Sequence, residues 1–126
     1  MMKNTKTNDT ILLYHGCAAS DVASIKQKGL LGVQRGRGHA IHFSRYRSVA
    51  AMAAIGNAPW SAGKRKGVVL VLCIPRKLVG GAPNDPDYLR PENYKRPFLR
   101  QSNGEFGIVT ADKHVCATWI VAIEKP

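Results

Sequence analysis

Three places along the chain carry side chains suited to chemistry: His15-Gly16, His42 within Ala40-Ile41-His42-Phe43-Ser44, and Glu105 within Gln101-Ser102-Asn103-Gly104-Glu105-Phe106-Gly107-Ile108-Val109. Glu105 is the most informative. The chain has eight acidic residues against 19 Lys and Arg, so few carboxylates are available for chemistry. This one follows a Ser-Asn-Gly turn and opens a short apolar run, a strand start at which a protein presents a charge to a ligand. A carboxylate there can stabilise positive charge on a bound ligand. The plainer alternative is an exposed Glu beside a turn. His15 beside Gly16 can offer a ring N–H to a sugar hydroxyl, with Gly16 allowing ligand and backbone to approach, or it is a strand-end His in a turn. His42 alternates with Ile41 and Phe43 and so faces opposite to both, towards either a pocket or solvent.

The elements that position these groups are legible from spacing. Residues 11–14 form an apolar run of strand length, ended by His15-Gly16. Ser20 is a suitable N-cap and Asp21 suits the positive end of a helix dipole, which predicts a short amphipathic helix over 21–28 stopped by Gly29. Residues 32–38 read as a loop carrying Arg35 and Arg37, 39–43 as a strand, and 46–55 as an Ala-rich helix. A basic loop over 57–66 leads to 68–74, a continuous Val/Leu/Ile run and the best candidate for a central strand. Five of the seven prolines (Pro75, Pro83, Pro86, Pro91, Pro97) then mark 75–97 as a long surface excursion. Short strands are expected at 98–101, 106–109 and 118–123. Helices early and strands late give an α+β order.

With 126 residues and 44% apolar content, the chain is expected to be one domain over 11–126, with 1–10 a polar, flexible N-terminus. No run approaches the ~20 apolar residues that span a bilayer, and no secretory leader is visible at the N-terminus. Cys17, Cys73 and Cys116 are dispersed with no C-x-x-C pair, which points to reduced thiols in a cytoplasmic protein and away from a zinc site. Cys17 reads as packing and not as a nucleophile. The net charge of +11 is large for this length and favours nucleic acid or an acidic protein as partner. Lys64-Arg65-Lys66, together with Lys95, Arg96 and Arg100, supplies two basic clusters for phosphates. Trp60, Tyr94 and Phe98 beside them are candidates for stacking on unpaired bases, unless they anchor core or loop.

The blocks Leu13-Tyr14-His15-Gly16-Cys17, Gly29-Leu30, His39-Ala40-Ile41-His42-Phe43-Ser44 and Ala50-Ala51, followed by the Asn103-Gly104-Glu105 turn, resemble the ADP-ribosyltransferases. The similarity extends to the NAD-binding lobe of tRNA 2′-phosphotransferases and covers about residues 12–123, with 75–97 unmatched. The resemblance implies a split β-sheet core with short flanking helices and NAD⁺ as co-substrate, with no metal. It places Glu105 and His42 as catalytic residues, His42 standing where the family has a strand Tyr. His15 would contact the adenosine ribose, Gly16 the nicotinamide carboxamide and Ser48 the nicotinamide. Arg35 and Arg37 either grip the pyrophosphate or are solvated loop charges. Cys17 stands where the family has Thr. The function implied is mono-ADP-ribosylation of nucleic acid, RNA favoured, or of a nucleic-acid-associated protein, by a monomeric toxin or phage-type effector with an acidic antidote protein as a further partner. The alternatives are an RNA 2′-phosphotransferase-like enzyme and a non-catalytic RNA-binding module. The phosphotransferases carry an extra N-terminal lobe and an apolar residue where this chain has Glu105. A module that only binds polyanions gains nothing from that carboxylate.

Overall fold

The apolar run at the centre of the sequence forms β3 (Gly67–Pro75), buried on both faces along most of its length. Its partner is β1 (Thr10–Ala18). The two pair antiparallel along their whole length, from Thr10↔Pro75 to Ala18↔Gly67. In this computed structural model the described residues are 10–30, 41–56, 66–80, 98–100, 106–111 and 115–126. A 3₁₀ turn (Ala19–Asp21) leads from β1 into α1 (Val22–Lys28), and β2 (Ile41–Ser44) leads into α2 (Arg47–Ala54). After β3 come a 3₁₀ turn (Arg76–Leu78), β4 (Val79–Gly80), β5 (Phe98–Arg100) and β6 (Ile108–Ala111). A last 3₁₀ turn (Ala117–Trp119) precedes β7 (Ile120–Glu124).

The strands form one sheet in the order β4-β5-β6-β2-β1-β3-β7. Pairing is antiparallel throughout except between the short β4 and β5. Because cross-strand partners share a face, the register sorts the side chains into two layers. Leu13, Phe43, Leu70, Leu72, Phe98 and Val109 lie on one face, where Ile25 of α1 and the bridged pair Leu30–Val115 cover them. Phe98 is fully buried at the centre of an aromatic chain, 5.6 Å from Phe43 and 5.7 Å from Trp119 between ring centroids. On the other face Ala50 and Ala54 of α2 pack on Val69 and Tyr14. The result is an α+β protein whose sheet carries a short helix on each side.

The α2 contact is close because the strands offer no side chain beneath it. A Cβ on Gly16 would lie 2.2 Å from the Ala50 carbonyl oxygen, and one on Gly67 would lie 1.8 Å from that of Ala54. Gly16 is therefore required for helix–sheet packing, a reason other than the ligand approach expected from sequence. Small residues on both sides bring the two backbones into contact.

Several expected boundaries are corrected. β1 does not end before His15-Gly16 but runs on to Ala18, because its ladder with β3 is uninterrupted. Ser20 is not the cap of α1: it lies inside the 3₁₀ turn, and Asp21 takes the cap position without a side-chain cap bond. The excursion does not begin at Pro75, which is the last residue of β3 and is followed by the 3₁₀ turn and β4; 81–97 lie outside the described residues. β6 starts two residues later than expected, because 106–107 form a turn. Phe98 is a core residue, not a base-stacking one, since its ring is closed off between Phe43 and Trp119. Cys17 is buried in the core, as packing requires.

Candidate functional site

The sheet is joined unevenly at its middle. Nine residues of β1 pair with β3 and four of β2 pair with β6, yet β1 and β2 share one register pair, Tyr14↔Ser44. The main-chain oxygen of His42 is met instead by a side chain: the Nδ1–H of His15 donates to it at 2.7 Å. A carbonyl only accepts, so Nδ1 carries a proton in this bond. The His15 ring also packs against Phe43, 5.4 Å between centroids. The ring N–H expected from sequence to serve a sugar hydroxyl thus serves the seam at Nδ1.

Register places the two imidazoles on opposite faces. His15 pairs with Leu70 on the α1 side. His42 is two residues from Ser44, which pairs with Tyr14 on the α2 side. Gly16 and Ser48 belong to the α2 side as well, Gly16 beneath the helix and Ser48 in its first turn. His42 is exposed, opposite Thr110 of β6, and Ser48 is exposed.

Glu105 lies outside the described residues, but the two residues that follow it are fastened to the end of β2. Ser44, only 2% exposed, donates its hydroxyl to the Phe106 carbonyl at 2.6 Å and accepts the Tyr46 N–H at 2.9 Å. The Arg45 N–H donates to the Gly107 carbonyl at 2.9 Å. Gly107 has φ +57, and a Cβ there would lie 2.9 Å from the Tyr46 ring, so the turn admits only glycine without strain. Ser44 is the buried polar residue that sequence reasoning left without a role. The signal was present, a small hydroxyl closing a strand two residues after His42, but its partner is 62 positions away.

Arg35, Arg37, Lys64, Arg65, Lys95 and Arg96 also lie outside the described residues, as do Trp60 and Tyr94. Lys66 is exposed, with its carbonyl bound to the Ala19 N–H at 3.1 Å. Arg100 is partly buried and its Nε donates to the Gly80 carbonyl at 3.3 Å. The thiol of Cys116 is 2.9 Å from the Thr118 hydroxyl, and hydrogen bonds from Thr118 hold its pKa below the ordinary thiol value. Among the described residues no three His, Cys, Asp or Glu cluster to hold a metal ion. No helix among them is long and apolar enough to cross a membrane. A scan against models of known protein families finds no match, and neither does a search of curated proteins.

Proposed function

We propose that the protein is an NAD⁺-dependent mono-ADP-ribosyltransferase with a split-sheet fold of that superfamily, acting on nucleic acid with RNA as the favoured acceptor. The observation that carries this reading is the sorting of residues at the β1–β2 seam. Gly16, His42 and Ser48, the residues that the family resemblance puts at the nicotinamide end, lie on the α2 side. His15, which it puts at the adenosine ribose, lies on the α1 side. An extended dinucleotide straddling the seam meets each end of this set. A single ladder pair between β1 and β2 leaves the sheet loosely closed at that point.

NAD⁺ supplies an ADP-ribosyl group bonded to nicotinamide, which departs as a neutral molecule. The chain supplies the rest. Glu105 stabilises the positive charge that builds at the ribose carbon as the C–N electron pair leaves with nicotinamide, and the acceptor atom then bonds to that carbon and sheds its proton. Ser44 and Arg45 hold to the end of β2 the two residues, Phe106 and Gly107, that follow Glu105 in the chain. His15, which the family resemblance puts at the adenosine ribose, is held at the seam through Nδ1. Incubation with isotopically labelled NAD⁺ and RNA, DNA or protein, followed by mass spectrometry for added ADP-ribose, tests this function. Labelled NAD⁺ left intact with every acceptor would refute it.

A further inference from the structure

Four cations share one cleft. Arg45, Arg76, Lys77 and Arg100 line an open cleft of about 570 Å³ over an apolar floor of Ile11, Pro75 and Val79. They come from the turns after β2 and β3 and from β5, so no stretch of sequence shows them as a cluster. The two acidic residues among those described are elsewhere: Asp21 precedes α1, and Glu124 is paired with Arg47 at 2.8 Å. Arg76 is held in place by a bond from Nη2 to the Thr10 carbonyl at 3.2 Å, and Arg100 by its bond to Gly80. A carbonyl positions the Arg76 guanidinium without cancelling its charge. Like charges gathered in a concave site raise its potential and attract anions, and planar guanidiniums suit phosphate oxygens.

We propose that this cleft binds the phosphate backbone of single-stranded nucleic acid; calling that strand the acceptor rests on the transferase reading, while the binding itself does not. The floor decides between a single strand and a duplex. A duplex turns its bases inward and presents phosphates alone, whereas an unpaired nucleotide can lay its base or sugar on Ile11, Pro75 and Val79 while its phosphates meet the cations above. Sequence analysis assigned Arg100 to a cluster with Lys95 and Arg96. In the fold its described companions are Arg45, Arg76 and Lys77, the last two following Pro75 directly.

The test is fluorescence anisotropy of a short labelled oligouridine, without NAD⁺, on the full chain and on Arg45→Ala/Lys77→Ala. Neither side chain makes a hydrogen bond or ion pair to another described residue, and circular dichroism melting checks the fold. Single strands lose ~0.7 in the slope of log affinity against log salt per contact, so the double variant is expected to flatten it by about 1.4 and to bind roughly tenfold more weakly near 0.1 M salt. Lys26→Ala/Lys28→Ala on α1 removes the same charge elsewhere and is expected to keep the slope. An unchanged slope in the cleft variant, or an equal loss in the α1 variant, overturns the proposal. So does a duplex of the same length that competes as well as the single strand. Inorganic pyrophosphate and NAD⁺ serve as competitors: displacement by either at micromolar concentration would make the cleft a free-diphosphate site and overturn the assignment to nucleic acid. Absence of NAD⁺ turnover alongside the expected slopes would refute the transferase and leave the cleft standing.

Discussion

The imidazole of His15 donates to the main-chain oxygen of His42 at 2.7 Å, in place of the strand-to-strand ladder that elsewhere ties the sheet together. One side chain thus closes the seam and packs on Phe43. The two duties separate by substitution. His15→Asn keeps a donor but loses the ring contact with Phe43, and His15→Ala loses both. His15→Ala is expected to cost about 0.5–1.5 kcal/mol, the net worth of a hydrogen bond whose carbonyl can turn to water, read as a lower denaturant midpoint. Calorimetric titration of NAD⁺ against both variants then shows whether affinity falls further than stability explains.

The glycine under α2 makes a sharper stability prediction. Gly16→Ala forces a methyl to 2.2 Å from the Ala50 carbonyl oxygen, a backbone atom that moves only if the helix moves. The expected loss is about 1–3 kcal/mol, the range for overpacking a tight core. Thermal melting measures it. A Gly16→Ala protein as stable as the parent would mean that α2 sits more loosely on β1.

How much of this was open to sequence reasoning follows from the range of each interaction. The apolar strand β3, α2 and the alternation of His42 with Ile41 and Phe43 were legible because local pattern dictates them. But β3 is not central: it stands sixth of seven, between β1 and the edge strand β7. The end of β1 was not, since His15-Gly16 looks like a turn and only the partner strand 55 positions away carries the ladder through it, His15 facing Leu70. Phe98 was misjudged because neighbouring charges suggested a surface, whereas Phe43 and Trp119 enclose it. At the site, residue types were legible and faces were not: the opposite placement of His15 and His42 depends on the register Tyr14↔Ser44. The cation cleft was hidden for the same reason, being assembled from separate turns.

Cys116 is expected to be the most readily alkylated thiol. Thr118 bonds favour its thiolate, which therefore persists to lower pH than an ordinary thiol's and is lost as pH falls through its lowered pKa. Iodoacetamide labelling followed by peptide mass spectrometry at several pH values should show Cys116 reacting ahead of Cys73 and of the buried Cys17. Thr118→Val should bring its pH profile back towards that of a free thiol.

Glu105→Gln keeps the shape of the side chain and removes its charge, so NAD⁺ affinity should largely survive while turnover falls by roughly 10²-fold or more, the scale of one preorganised electrostatic group. An unchanged rate rules Glu105 out as the catalytic carboxylate.

Ser44→Ala tests how that carboxylate is held. The hydroxyl, 2% exposed, serves both the Phe106 carbonyl and the Tyr46 N–H, so its removal leaves two main-chain groups without their partner, at a cost of about 1–3 kcal/mol. Ser44 is placed here as a positioning residue, acting on the segment that follows Glu105 and not on the substrate. On the proposed transferase reading its loss should therefore lower kcat while NAD⁺ affinity changes little. Ser44→Thr retains the hydroxyl and should restore most of the rate if the added methyl fits, whereas Ser44→Ala combined with Glu105→Gln should be scarcely slower than Glu105→Gln alone. That non-additivity separates positioning from a general loss of stability, because destabilisation would slow both backgrounds by the same factor. Equal factors in the two backgrounds would reduce Ser44 to a structural residue and leave the placement of Glu105 to other contacts.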